Sequence, residues 1–503
     1  MTWAPTPSGT YPRYAGAAVQ RFTGSRTRRR SAAEKWARIL TPLIILTWAA
    51  SFVIGFPLAV SVLMLIGFAA AIFGLRRPAL GLMGISMLCT MDAISRTMIF
   101  KGGGLGAGFL RFNTINYYLI LVVLLSLPFV LRLKNLPTRV LQLFILLLTT
   151  QLILSPSFRT FKGGASDVLN IIAVFGLIVY IARAVARGGG ERNWYWVALV
   201  NGVLAAFGSL AFYAQKGSVP YINPNVFAYF PVAGLGAICV AFRFASGRGQ
   251  YILGLLGVMN LVWVFLSGSR GALLVAALYV LFVFLEMRGL SRRSIFLGIA
   301  GLLCIMAWAY FAQQPLENRR GKKRDMVSRI ETLLDSNQSL RDRTANRSDL
   351  AVGAWHIFRK NPFGVGTGAF QTHYAGLGMQ EGMSGALVGA AAQSHSGWLK
   401  TLAENGIPGI LVLTCFVLSF TVSGWQKKRQ GLLPLGLLIT GVLALTFISQ
   451  EFDGKAPWFP VAAAIVLLHR DAIAESLRRS KRRRSHHRYE YRYPATTMVR
   501  PRI

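Results

Sequence analysis

The sequence predicts an all-α protein that crosses a membrane many times, and three observations predict it. Hydrophobic residues make up 53% of the 503, and charged residues only 15%; mean hydropathy is +0.47. A soluble domain carries about a quarter charged residues. Apolar runs of roughly 17–22 residues recur along most of the chain, the length a helix needs to cross about 30 Å of hydrocarbon. The third observation is where the basic residues fall: mostly in short segments between those runs, and in the two tails.

About fourteen spans are expected. They centre near 39–56, 57–75, 79–97, 115–132, 139–155, 168–185, 194–213, 225–243, 251–268, 271–287, 294–312, 399–424, 432–449 and 457–469. With a cytoplasmic N-terminus, the inside segments are Arg76-Arg77, Arg132 to Arg139, Arg183 to Arg192, Arg243 to Arg248, Arg288 to Arg293, Lys427 to Arg429 and the C-terminal tail, all basic. Short outside loops carry less charge, with Lys216 alone in one and Lys101 with Arg111 in another. This bias sets the orientation. The expected layout is a cytoplasmic basic tail over 1–38, spans one to eleven over 39–312, an extracytoplasmic loop with short helices over 313–398, spans twelve to fourteen over 399–469, and a second cytoplasmic basic tail over 470–503. The polar opening of roughly 38 residues is far longer than the charged region of a signal peptide, so the first apolar run is expected to stay as an anchor.

The formal net charge of +37 would ordinarily raise nucleic acid as a partner. Here it follows the membrane topology, and Arg28-Arg29-Arg30 and Lys481-Arg482-Arg483-Arg484 are expected to meet anionic lipid headgroups instead. Cys89, Cys239, Cys304 and Cys415 all lie inside apolar runs with no ligand spacing, so neither a disulfide framework nor a metal site is expected. They read as small buried apolar residues. No Walker A sequence and no Asp-x-Asp pair is present, which removes support for ATP-driven transport and for metal-dependent cytosolic nucleotide-sugar chemistry.

The loop over 313–398 is polar and basic: Arg319, Arg320, Lys322, Lys323, Arg324, Arg329, Arg341, Arg343, Arg347, Arg359 and Lys360 outnumber its acidic residues. Long loops are translocated whatever their charge. A basic loop outside the cytoplasm suits an anionic ligand. Arg270 stands in Ser267-Gly268-Ser269-Arg270-Gly271, between the ninth and tenth spans. Its planar guanidinium suits bidentate contact with phosphate oxygens, and the alternative role is snorkelling to headgroups. Arg347 opens a segment that reads as a helix through Lys360, ended by Asn361-Pro362. The turn Gly364-Val365-Gly366-Thr367-Gly368 is not a dinucleotide fingerprint, because Ala369 stands where the third glycine would and no strand precedes it; it reads as a turn packing the loop on the membrane domain. Ser394 is a plausible N-cap for a helix begun by His395 and leading into the twelfth span, with Leu399 and Leu402 on the histidine's face. His356 and His373 lie in the same loop, and chemistry alone leaves them rivals of His395. Asp92 and Arg96 sit four apart and are expected to pair. Glu451 and Asp453 are either sugar-hydroxyl ligands or plain surface.

Taken together these motifs resemble those of the O-antigen ligase/Wzy-type polymerase superfamily of bacterial envelope enzymes. The resemblance is sharpest at Ser267-Gly268-Ser269-Arg270-Gly271-Ala272, at Arg347 followed by Pro362-Phe363-Gly364-Val365-Gly366-Thr367-Gly368-Ala369-Phe370, and at His395 followed by Leu399, Glu404, Gly406 and Gly409. Asn223-Pro224-Asn225, opening the eighth span, is similar to a further family element. One departure is Ser396, where the family usually has asparagine directly after the histidine.

What the resemblance implies is a metal-free, inverting glycosyltransferase of the inner membrane, with no cofactor. Its donor would be an undecaprenyl-pyrophosphate-linked glycan and its acceptor a glycan or glycolipid. His395 would be general base; Arg270 and Arg347 would bind the pyrophosphate and stabilise it as it leaves; Arg343, Asn225, Gly366 and Glu404 would complete the substrate site. Polymerisation of repeat units, ligation of a finished glycan to a lipid core, and, from another class, flipping of the same lipid-linked sugar are the readings left open. A flippase and a chain-length regulator of the same pathway are the protein partners it suggests, beside membrane lipids and no nucleic acid.

Overall fold

The computed structural model describes residues 32–99, 161–186, 191–215, 227–245, 247–286, 347–380, 396–449, 456–471, 473 and 475. Among the described residues every regular element is helical. In chain order they are α1 (Ala32–Ile54), α2 (Phe56–Phe73), α3 (Pro78–Ile99), α4 (Phe161–Ala186), α5 (Glu191–Ala214), α6 (Tyr229–Phe242), α7 (Arg248–Leu266), α8 (Arg270–Glu286), α9 (Arg347–Lys360), α10 (Phe370–Gln380), α11 (Gly397–Gln426), α12 (Leu433–Ser449) and α13 (Trp458–Leu468). Five of them, α1, α2, α5, α7 and α11, are long and apolar enough to cross a membrane. α3, α4, α6, α8, α12 and α13 coincide with other expected spans. The runs near 115–132, 139–155 and 294–312 lie outside the described residues.

α1 is described from Ala32, inside the stretch expected to be tail, and Glu34 and Arg38 pair across one of its turns at 2.8 Å below the apolar run. A single residue, Gly55 at φ 88°, separates α1 from α2, and Pro57 follows in the first turn of α2, where a missing N–H costs nothing. α2 and α3 then lie almost backbone to backbone: Gly84 faces the main chain of Gly67, Ala70 and Ala71, with no room for a side chain. Such contact replaces the hydrophobic drive that lipid cannot supply between helices.

Polar side chains inside the bundle join neighbouring helices. Thr90 Oγ1 donates to Asn201 Oδ1 at 2.7 Å, tying α3 to α5, and Asn260 Nδ2 on α7 donates to the Gly202 carbonyl on α5 at 3.2 Å. Tyr180 on α4 donates to the Ala71 carbonyl on α2 at 3.1 Å, and the Trp48 indole on α1 to the Leu204 carbonyl on α5 at 3.2 Å. Buried groups like these require partners. Asp92 is buried, but the side chain of Arg96 lies outside the described residues, as do Glu451, Asp453 and Cys304. Cys89 and Cys239 are buried as expected, whereas Cys415 is exposed. It shares the outward face of α11 with Leu411 and Leu418, so the all-buried expectation is corrected there. That face suits lipid, and an apolar residue need not be hidden from lipid.

Contacts fix which helix ends lie together. The ends of α1 and α5 meet where Gln215 donates to Ser51 Oγ at 2.6 Å, and the end of α5 meets the end of α7 where Tyr213 stacks on Trp263 at 5.1 Å. Phe227, just before α6, stacks on Phe212 at 4.2 Å. Arg243, just after α6, lies 3.9 Å from Glu286 at the end of α8, so α6 and α8 run side by side in the same direction. The start of α11 meets the end of α12, where Ser396 donates to the Phe447 carbonyl at 3.1 Å. The far end of α11 closes on the end of α13: Lys427 Nζ donates to the Leu468 carbonyl at 2.6 Å and lies 3.4 Å from His469 Nδ1. Burial lowers the Lys427 ammonium from the usual lysine range.

Candidate functional site

The segment with the densest family motifs folds into a clamp between a loop and a broken helix. α9 covers Arg347–Lys360 among the described residues and stops at Lys360, the end expected from sequence, because Asn361 is followed by proline. The Asn361 N–H still reaches the Ile357 carbonyl at 2.9 Å, and its Nδ2 the same carbonyl at 3.3 Å. Beyond it, Gly364, Gly366 and Gly368 take φ of 90°, 99° and 82°. An alternation of such angles with Val365 and Thr367 between them is open to glycine and costly to any other residue.

The partner of this turn is a kink in α11. Gly406 has φ 60° and ψ −152°, and Pro408 follows within the same helix. Proline has no N–H, so the Glu404 carbonyl loses the donor that an intact helix would supply from position 408. The Gly406 turn also swings the Ile407 N–H away from the Ala403 carbonyl. The loop answers all three vacancies: Val365 N–H donates to the Ala403 carbonyl at 3.1 Å, Gly366 N–H to the Glu404 carbonyl at 2.9 Å, and Ile407 N–H to the Pro362 carbonyl at 2.9 Å. Two side chains complete the join. Glu404 Oε1 accepts from the Phe370 N–H at 3.2 Å, and Asn405 Nδ2 donates to Thr367 Oγ1 at 3.1 Å. Glu404, Asn405 and Thr367 are all buried. At Gly364 a Cβ would overlap the Glu404 carbonyl, and at Gly406 the Pro362 carbonyl, so the two chains meet only because neither has a side chain there.

A small apolar core closes over the clamp: Leu350, Ala354 and Ile357 of α9, Phe370, Tyr374 and Leu377 of α10, and Ala403 of α11, with Val365 and Leu399 against it. The turn expected to seat the loop on the membrane domain therefore sits on α11, one of the helices able to span. Gly366 and Glu404, expected at the substrate, have these backbone and capping bonds as their described contacts.

At the start of α11 the structure corrects the expected cap. Ser396, not Ser394, is the N-cap: its backbone is extended (φ −147°, ψ 117°) and its Oγ accepts from the Leu399 N–H at 3.4 Å. The helix thus begins at Gly397, and the spacing from His395 to Leu399 and Leu402 is interrupted by that extended residue. The serine standing where the family usually has asparagine caps α11 and binds it to α12. His395 and Ser394 themselves lie outside the described residues, as do Arg343, Asn225 and the side chain of Arg347. Of the rival histidines, His373 is exposed and His356 half-buried.

Arg270 is the first residue of α8, half-buried, after a tight turn from α7. Gly268 at φ 66° makes the turn. Ser267 Oγ donates to the Val264 carbonyl at 2.6 Å, and the Ser269 carbonyl accepts from Leu273 N–H at 3.0 Å. Both serines are buried, so they build the turn rather than face outward. The guanidinium stands at a helix N-terminus, where the backbone already presents positive potential. Leu278 of α8 packs on α12 at Gly441, and α12 in turn packs on α11, with Trp398 Nε1 donating to the Ala444 carbonyl at 3.0 Å. Sequence reasoning missed Asn405, Thr367 and Pro408 as parts of the join. The signal was Asn405-Gly406 followed by Pro408, a helix breaker in the middle of an apolar run.

Helices of membrane-crossing length, buried polar ties between them, and a helical loop segment clipped to a kinked spanning helix define a helical membrane protein. Residues 255–414 match the family model Wzy_C, described as O-antigen ligase. The match spans about a third of the chain and supports the resemblance of that segment to the O-antigen ligase/Wzy superfamily. The match takes in Arg270, Arg343, Arg347, the clamp and His395, and leaves Asn225 outside. No curated protein matches the chain.

Proposed function

We propose that this protein transfers glycan from an undecaprenyl-pyrophosphate-linked donor to an acceptor sugar hydroxyl at the outer face of the inner membrane, lengthening a polysaccharide repeat by repeat. The observation that carries the reading is the family match over 255–414, which holds Arg270, Arg347, the clamp and His395 in one segment. In this reading about fourteen spans cross the bilayer, both termini face the cytoplasm, and residues 313–398 lie outside.

The chemistry is asymmetric. Lipid pyrophosphate is a good leaving group, and a sugar hydroxyl is a weak nucleophile at neutral pH. His395 takes the acceptor proton as the acceptor oxygen bonds to the anomeric carbon with inversion. The anomeric carbon–oxygen bond to the pyrophosphate breaks in the same displacement, and that bond's electron pair leaves with the diphosphate. Arg270 and Arg347 hold the growing negative charge, work done elsewhere by a divalent cation. Arg343, Asn225, Gly366 and Glu404 complete the substrate site, the last two by fixing the loop's backbone. The half-buried guanidinium at the start of α8 supports the anion assignment. Ser396 supports the base assignment, because its cap fixes the chain direction immediately after His395.

A second reading, ligation of a finished glycan to a lipid acceptor, is favoured by the description of the matched family model. Purified protein supplied only with lipid-linked repeats separates them: extension of the repeats marks a polymerase, and inertness until a lipid core is added marks a ligase. His395→Ala should bind lipid pyrophosphate and form no glycosidic bond, whereas Arg270→Ala and Arg347→Ala should weaken donor use. Product formation unchanged in all three would exclude this assignment of residues, and no product from the parent protein with either acceptor would leave a flippase or a structural subunit.

A further inference from the structure

Helix α9 has two apolar faces, and among the described residues one of them packs inside while the other is exposed. Leu350, Gly353, Ala354 and Ile357 point inward to the small core over the clamp. Half a turn round the helix, Val352, Trp355 and Arg359 form a stripe at the i, i+3, i+7 positions. Val352 is 46% exposed and Trp355 50%, and Arg359 and Lys360 are exposed as well. Phe363, just past the end of α9, is 70% exposed. A loop helix surrounded by water has no use for a second apolar face carrying tryptophan and phenylalanine beside two cations.

We infer that this outer face of α9, formed by Val352, Trp355, Arg359 and Lys360 and continued by Phe363, lies on the anionic headgroup layer of the membrane. Two observations select lipid over a protein partner. First, the surface is continuous with one that faces lipid. The Pro362 carbonyl bonds to the Ile407 N–H, so Phe363 is pinned beside Ile407, and Ile407 opens the exposed apolar face of the spanning helix α11 that continues through Leu411 and Leu418. Second, the composition is that of an interfacial helix, in which an aromatic ring sits at the boundary while arginine and lysine reach phosphate. The consequence is mechanical. A helix held flat at the headgroups keeps its first residue, Arg347, at the depth where a lipid diphosphate would lie. The inference rests on the membrane reading given above but not on its chemistry.

The test uses the full chain in nanodiscs of phosphatidylethanolamine and phosphatidylglycerol. In a Cys304→Ser, Cys415→Ser background, an environment-sensitive fluorophore is placed at Trp355→Cys, Phe363→Cys or, as control, Thr372→Cys on the exposed polar side of α10. Lipid bearing a nitroxide near its headgroup should quench the first two probes at least about twofold more than the third. Adding Arg359→Glu and Lys360→Glu should halve, roughly, the quenching at position 363 in discs containing phosphatidylglycerol. Equal quenching at all three sites overturns the inference, as does a probe at 363 that is shielded from aqueous iodide yet untouched by the nitroxide lipid, since protein then covers the face. Catalytic assays do not enter, so loss of this inference and loss of the proposed chemistry are separately visible.

Discussion

Substituting Gly406 with alanine should open the clamp without unfolding the bundle. At φ 60° and ψ −152° the backbone is in a region held almost only by glycine, and an alanine there costs about 1–3 kcal/mol. The new Cβ would also overlap the Pro362 carbonyl, so residues 362–364 must move away. That movement breaks the bonds Ile407–Pro362, Val365–Ala403 and Gly366–Glu404, each worth about 0.5–1.5 kcal/mol net. Strain and lost bonds together come to about 3–7 kcal/mol, more than a loop segment of this size holds in reserve. Hydrogen exchange of the full chain in nanodiscs should show protection lost at Gly364, Val365, Gly366 and Ile407, with the amides of α5 and α6 unchanged. Gly376→Ala is the matched control, because a side chain there meets nothing within 4 Å. If Gly406→Ala leaves protection at residues 364–366 as in the parent protein, the clamp does not depend on the contact described.

Two further outcomes follow from the same geometry. Pro408→Ala restores an N–H that competes with Gly366 for the Glu404 carbonyl; α11 should straighten, and exchange at Gly366 should rise by about tenfold, a smaller effect than that of Gly406→Ala. Glu404→Ala leaves the buried Phe370 N–H without its acceptor and should cost about 1–3 kcal/mol of local stability, whereas Glu404→Gln keeps an oxygen in place and should cost less; equal losses in thermal scans would show that the bond to Phe370 contributes nothing.

How much was legible beforehand divides along physical lines. Span positions such as 39–56 and 251–268 come from the length of an apolar run, which one helix crossing one bilayer requires whatever its neighbours do. The helix from Arg347 to Lys360 is equally local, since proline two residues beyond its end forbids continuation. The glycines at 364, 366 and 368 read as a turn packing the loop on the membrane domain, but sequence reasoning missed the kink at the helix breakers 406 and 408 and its pairing with that turn. Sequence spacing likewise placed the cap of α11 at Ser394, and it is Ser396, whose Oγ accepts from the Leu399 N–H and donates to the Phe447 carbonyl on α12.

By itself, then, the sequence determined the helical class and the apolar segments, which depend on residues close together in the chain, and the match of residues 255–414 to the family model. Tertiary structure decided that the carbonyls released by Pro408 and Gly406 are taken up by amides some forty residues earlier. Burial leaves no water to satisfy those groups, so the partner has to come from elsewhere in the fold, and a pairing across that distance has no local signature.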